Sequence, residues 1–143
     1  LLHAFPDCGR ADGFVHYAVD GHALRILVLD TLEVGRHGGG FCETRAAWLA
    51  ARLDEAPQQP TLIVLHHPPM ESGLSWMTED PDAAWVQRLR DVLAGRRNVV
   101  AMVAGHLHRP VSAHCAGVPI IVCPATAPQV ALDLAPIDPD VPD

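Results

Sequence analysis

The sequence contains no lysine, and it carries more acidic than basic residues. All ten basic residues are arginine, and the formal net charge is −7 over 143 residues. This balance disfavours a nucleic-acid polymer as a partner, because binding to the phosphate backbone calls for a basic patch. It leaves a small phosphate ester open as a ligand, since a bound cation reverses the local field.

The sequence also lacks long apolar runs and the features of a secretory leader. No run approaches the ~20 residues that a membrane-spanning helix needs, and Leu1–Pro6 has neither a charged start nor a long apolar stretch. We therefore expect a cytoplasmic protein without a membrane partner. Aromatic residues make up only 5% of the chain, but 49% of the residues are hydrophobic, so a core of aliphatic side chains is feasible.

Several motifs of metal binding and catalysis are missing. No C-x-x-C pair occurs, which argues against a zinc ribbon, and no G-x-S-x-G segment supports a serine hydrolase. The absence of lysine excludes a phosphate-binding loop of the G-x-x-x-x-G-K-[ST] type. The four cysteines are expected to be free thiols; they are Cys8, Cys42, Cys115 and Cys123.

Hydrophobic periodicity predicts an α/β domain in which strands alternate with helices. Strands separated by helices favour parallel pairing through right-handed crossovers. The predicted strands cover residues 14–19, 24–29, 61–65, 99–104, 111–115 and 118–123, and the predicted helices cover residues 43–53 and 81–93.

Two short histidine motifs follow predicted strands. His66-His67-Pro68-Pro69 comes after the apolar run Thr61–Leu65, and Gly105-His106-Leu107-His108 comes after Val99–Ala104. In a parallel sheet the carboxyl ends of neighbouring strands lie at one edge, which is where α/β proteins usually bind ligands. Imidazole is a common ligand for zinc, iron and related ions. The motifs therefore predict a metal site assembled from two strand ends.

The alternation of an extended chain sharpens this prediction. Residues two apart point to the same face, so His106 and His108 are expected to face one pocket. His66 would add a third imidazole. Because neighbours point in opposite directions, only one of His66 and His67 is expected to be a direct ligand. Pro68-Pro69 sets the backbone direction just after them.

Other candidate residues have an ordinary structural explanation. Asp30 is the only acid at a comparable strand end, and a turn hydrogen bond explains its position as well as a metal does.

Three histidines alone are enough for a catalytic zinc site with an open position. The remaining histidines are expected to be structural or surface residues; they are His3, His16, His22, His37 and His114.

The two motifs together resemble those of the calcineurin-like metallophosphoesterase superfamily, in its class III cyclic-nucleotide and glycerophosphodiester phosphodiesterase branch. The segment Val28-Leu29-Asp30-Thr31, the pair Trp48-Leu49 and the segment Gly117-Val118-Pro119 also fit that branch. The resemblance implies a four-layer αββα sandwich with a dinuclear metal centre that hydrolyses a small phosphodiester.

The resemblance also implies roles for individual residues. His66 and His106 would bind one divalent metal, and His108 would bind the other; Mn, Fe, Zn and Co are all open. His67 would be a supporting or structural residue. Arg109 would contact phosphate, although a surface salt bridge is the simpler expectation. No catalytic acid or base is identified, because the histidine with that role in the family has no counterpart in this chain.

Part of the family pattern is missing. The G-D and G-N-H-D/E motifs do not occur, and the one D-x-H triplet, Asp20-Gly21-His22, lies at a predicted hairpin turn. We therefore expect residues 1–134 to be the C-terminal part of a metallophosphoesterase domain, an incomplete αββα unit, followed by a proline- and aspartate-rich tail at 135–143. Two alternatives remain: a non-catalytic truncated module that forms a homo-oligomer or binds a partner such as the missing half, and a mononuclear three-histidine zinc hydrolase.

Overall fold

A computed structural model describes residues 10–127 and 129–135. The expectations for residues 1–9 and for the tail from 136 to 143 lie outside these residues. Neither helix of the described part has the length and apolar character needed to cross a bilayer. The elements, in chain order, are β1 Arg10–Ala11, β2 Phe14–Val15, β3 Tyr17–Val19, β4 Arg25–Val28, α1 Glu43–Glu55, β5 Thr61–Val64, α2 Ala84–Leu93, β6 Val99–Ala104, β7 Val111–Cys115 and β8 Val118–Val122.

Six of the strands form one mixed sheet in the order β3-β4-β5-β6-β8-β7. Its centre is parallel, because α1 returns the chain from β4 to β5 and α2 returns it from β5 to β6. Antiparallel hairpins, β3-β4 and β7-β8, form the two edges. The predicted α/β class and the predicted parallel pairing of β5 with β6 are therefore confirmed.

Most predicted ends lie within two residues of the observed ones, but two predicted elements differ more. The strand expected over 14–19 is broken at His16, since β2 pairs with β1 in a separate ribbon and β3 pairs with β4. The buried His16 ring stacks on Trp48, with centroids 4.3 Å apart, so its packing interrupts the strand. The second helix begins at Ala84 rather than at Pro81, because a turn precedes it in which the Asp80 carboxylate accepts the Asp82 N–H (2.8 Å).

The core lies between the sheet and the two helices. Register aligns one side chain from each central strand on this face, and each is at most 1% exposed. These four residues are Leu27, Ile63, Met102 and Ile120. Leucines of α1 and α2 cover them; they are Leu49, Leu53, Leu89 and Leu93.

The opposite face of the sheet is less covered. Its residues alternate with the core residues along each strand, and those of β4 and β5 are only partly buried. Ile121 on β8 is 50% exposed. One sheet face therefore carries the core of the described residues, and the other keeps apolar side chains in contact with solvent.

The two faces are expected to respond differently to the same truncation. Ile63→Ala, which removes a fully buried side chain, should lower the free energy of unfolding by about 2–5 kcal/mol because it leaves a cavity. Ile121→Ala, the matched control on the opposite face, should cost less than about 1 kcal/mol. Urea unfolding measures both. An equally large cost at Ile121 would mean that this face is packed in solution, as the oligomeric alternative requires.

Candidate metal centre

Backbone hydrogen bonds join the two histidine motifs at the carboxyl edge of the sheet. Beyond β5 and β6 the pairing continues, since the Leu65 N–H donates to Val103 O (3.0 Å) and the Gly105 N–H donates to His66 O (3.1 Å). A Cβ on Gly105 would lie 3.5 Å from His66 Nδ1. The missing side chain at Gly105 therefore keeps the space beside the His66 ring open.

Three imidazoles meet at this edge. Ring centroids lie 4.8 Å apart for His66 and His67, 5.2 Å for His66 and His106, and 4.7 Å for His67 and His106. One ligand atom from each ring lies within 4.8 Å of the others. The expectation that His66 and His67 diverge was wrong, because the chain has already left β5 and the alternation of an extended strand no longer applies.

The segment after β6 is also not extended. His106 and His108 have φ angles of 71° and 53°, in the left-handed region that non-glycine residues rarely adopt. The premise that places both rings in one pocket was therefore wrong. His106 joins the cluster and His108 lies outside the trio, although His108 is near enough to lower the pKa of His66. Between them, Leu107 is fully buried and anchors this strained turn.

Thr31 holds His67 in place, and sequence reasoning gave it no role. Its Oγ1 accepts the His67 backbone N–H (3.2 Å) and lies 2.9 Å from His67 Nδ1. When Nδ1–H is the donor, Nε2 keeps a lone pair for a metal. The position of Thr31 beside Asp30, at the end of a predicted strand, is the sequence feature that could have identified it. Asp30 instead accepts the backbone N–H of Val15 (3.0 Å) and Leu32 (2.9 Å), as the turn interpretation predicts.

Desolvation favours the uncharged form of the three imidazoles. It is the main cause that lowers the pKa of His106 from 6.5 to about 4, and the neighbouring His67 and His66 lower it further, against an opposing effect of Glu79. Burial is also the main cause of the lowered pKa values of His66 and His67. Neutral imidazoles have the free lone pairs that metal binding requires.

Comparison with known proteins identifies relatives of this arrangement. No family model matches the chain. A probable cyclic nucleotide phosphodiesterase of Rhodopseudomonas palustris is 40% identical over 138 residues, which is 91% of this chain and 48% of that protein. A probable glycerophosphodiester phosphodiesterase of Arcobacter nitrofigilis is 31% identical, over 81% of this chain and 42% of its own.

Two further matches agree with these. The 3′,5′-cyclic adenosine monophosphate phosphodiesterase CpdA of Escherichia coli is 31% identical, over 76% of this chain and 39% of its own. A dimetal phosphatase from Danio rerio superposes with a TM-score of 0.53 at 17% identity, over 78% of this chain and 49% of that chain. At that identity the structural match concerns the fold alone, and it agrees with the α/β architecture described above.

The chain is homologous to these cyclic nucleotide and glycerophosphodiester phosphodiesterases over most of its own length. The resemblance found in its motifs is thereby confirmed, and so is the metallophosphoesterase type of fold. The chain spans about half the length of the curated relatives it matches.

The donor set of the histidine cluster fits a divalent metal. Tetrahedral coordination with bonds of about 2.1 Å sets two nitrogens roughly 3.4 Å apart, so the three ligand atoms, which lie within 4.8 Å of one another, would have to draw closer to hold one ion. The trio contains no carboxylate. Arg109, expected near phosphate or in a salt bridge, donates from Nη1 to Val130 O (2.7 Å).

Acidification is expected to destabilise the fold through these histidines. The pKa of His106 is 6.5 ordinarily and about 4 in the folded chain, so between these values the unfolded chain binds more protons. The free energy of unfolding should therefore fall as the pH drops from 6.5 towards 4, and this contribution should level off below that. Urea unfolding at about pH 7.5 and about pH 4.5 measures the fall.

Two variants separate this contribution from other acid effects. His106→Asn removes a titrating group from the cluster and should reduce the loss of stability between the two pH values. His114→Asn, at an exposed position on β7, should leave the loss unchanged. Equal losses in both variants and in the wild-type chain would contradict the prediction.

Proposed function

We propose that the protein hydrolyses small phosphodiesters, of the cyclic-nucleotide or glycerophosphodiester type, at a divalent metal centre to which this chain contributes histidine ligands. The observation that carries the proposal is the meeting of His66, His67 and His106 at the carboxyl ends of two parallel strands. The names of the relatives support the substrate class. The net charge of −7 is consistent with a small ester rather than a nucleic-acid polymer.

His66 and His106 would hold one metal, and His108 would hold a second. His67, which is hydrogen-bonded to Thr31, would either support the site without touching the metal or serve as a third ligand of the first metal. Imidazole accepts Mn, Fe, Zn and Co, so the donor set leaves the identity of the ion open. Bound divalent ions supply an activated water and offset the charge that develops on phosphate.

Residues of this chain orient the imidazole rings and lower their affinity for protons. Thr31 contacts both the ring and the backbone N–H of His67, and Leu107 anchors the turn that presents His106. Because the pKa values of the three imidazoles lie below their ordinary value, protons compete less with a metal for their lone pairs. Arg109, at the end of this turn, is a candidate contact for phosphate once it leaves Val130.

A mononuclear zinc site is the second candidate. It is favoured because the three ligand atoms that lie close together all belong to histidines, and His108 is not among them. Three histidines with an open fourth position are a sufficient ligand set for catalytic zinc. This alternative predicts one ion for each copy of this chain, whereas the dinuclear proposal predicts that the chain holds only part of a two-metal site.

Activity against bis(p-nitrophenyl) phosphate with Mn²⁺ tests the enzymatic proposal. The protein expressed in its full reading frame should hydrolyse the ester, and the 143-residue chain should do so weakly. His106→Ala should reduce the rate about hundredfold or more, because it removes a proposed metal ligand. His114→Ala, at an exposed position on β7, should leave the rate unchanged.

The outcomes separate the candidates. Strong hydrolysis by the 143-residue chain, lost in His106→Ala, would favour a self-sufficient site. A full reading frame that stays inactive with several metals and several diesters would refute the enzymatic proposal and favour the non-catalytic module, whose oligomeric state can be read from its mass in solution.

Thr31 provides a test that needs no substrate. Thr31→Val removes the oxygen that contacts the His67 ring at nearly constant volume, and should weaken Zn²⁺ binding about tenfold. Thr31→Ser keeps that oxygen and should bind as the wild type does. Thr44→Val, at an exposed position in α1, is the matched control. Isothermal titration gives both the affinity and the number of ions; unchanged affinity in Thr31→Val would refute the role given to Thr31.

A further inference from the structure

Glu79 is a buried carboxylate that lies outside the histidine trio. It belongs to the long loop between β5 and α2, and it is only 6% exposed. Oε1 accepts the N–H of Gly39, and Oε2 accepts the indole N–H of Trp85 (3.1 Å). The carboxylate therefore ties together the glycine-rich loop before α1, its own loop and the first turn of α2.

Both hydrogen-bond donors to Glu79 are neutral, which leaves its negative charge to be offset by something else. Burial of a charge is costly unless an opposite charge lies close. Among the ion pairs found in the described part of the chain, none includes Glu79. The carboxylate does act on His106, where it opposes the effect of burial. A cation held among the histidines would help offset this charge, because Gly39 lies between Glu79 and His67.

Gly39 connects Glu79 to the cluster by contact. This glycine is buried, and a Cβ on it would lie 2.8 Å from His67 Cβ and 2.9 Å from Trp85 Cζ2. No side chain fits there without displacing one of those groups. The backbone that Glu79 holds by its hydrogen bond is therefore the wall against which His67 packs.

We propose that Glu79 is a positioning residue for the histidine cluster. It holds Gly39 and Trp85 against His67, and its charge favours a divalent cation among the three imidazoles. This inference rests on the metal site of the proposed function. It assigns no bond between Glu79 and the ion, because both carboxylate oxygens already accept hydrogen bonds.

Co²⁺ binding to the 143-residue chain tests the inference by affinity and by the visible absorption of the bound ion. Glu79→Gln should weaken binding about ten- to a hundredfold, as is typical when a supporting residue of a metal site is lost, and should alter the absorption band. Glu79→Asp keeps the charge and should recover most of the affinity. Glu71→Gln, an exposed position on the same loop, should bind as the wild type does. Circular dichroism of the metal-free variants establishes that each is folded.

The outcomes distinguish this inference from the proposed function. Wild-type affinity in Glu79→Gln, with Co²⁺ bound by the wild type, overturns the role of Glu79 alone. Equal losses in Glu79→Gln and Glu79→Asp overturn the role of its charge. Failure of the wild-type chain to bind Co²⁺ overturns the metal site and this inference with it. If Glu79→Gln does not fold, Gly39→Ala replaces it, and wild-type affinity and absorption in that variant overturn the positioning of His67.

Discussion

The register of β5 against β6 is the constraint on which the site depends. Thr61 pairs with Val99 but Leu62 pairs with Ala101, so the ladder shifts by one residue at its start. Because of this shift, Val64 lies opposite Val103 and the His66 carbonyl meets the Gly105 N–H. An unshifted register would set Ala104 opposite His66 and would turn every side chain of one strand to the other face. The irregularity therefore places Gly105, which has no Cβ, beside the His66 ring.

The conformation of the loop after β6 brings His106 to the cluster, and burial favours the neutral form of its imidazole. His106 adopts a left-handed backbone conformation that costs on the order of 1 kcal/mol or more, and the fully buried Leu107 holds the turn in the core. The same burial disfavours protonation of the imidazoles. Glu79 and Thr31 act in the opposite sense, since they supply negative charge and oriented oxygen around the cluster. The neutral nitrogens and the nearby carboxylate make the cluster electrostatically suited to a cation.

The sequence was most informative where long apolar periodicity dominates. The strands of the βαβ unit, the crossover helices and the convergence of His66 with His106 could all be predicted, because parallel strands end at one edge of a sheet. Predictions failed at the loops, where strand alternation was extended past Val64 and Ala104. There the backbone bends, so His67 joins His66 and His106, and His108 lies near the trio without belonging to it. The contacts of Thr31 and Glu79 could not be predicted, since their partners lie 36 and 40 residues away in sequence.

The sequence by itself determined the α/β class, the parallel core and the presence of imidazoles at two strand ends, because these follow from local periodicity and from the direction of the chain. Its motifs also predicted the resemblance to phosphodiesterases that the comparisons confirm. Only the tertiary structure decided which three rings come together, that Asp30 serves a turn, and that Glu79 lies buried behind His67. Those outcomes depend on a one-residue shift in register and on backbone angles in two loops, and neither leaves a periodic pattern in the sequence.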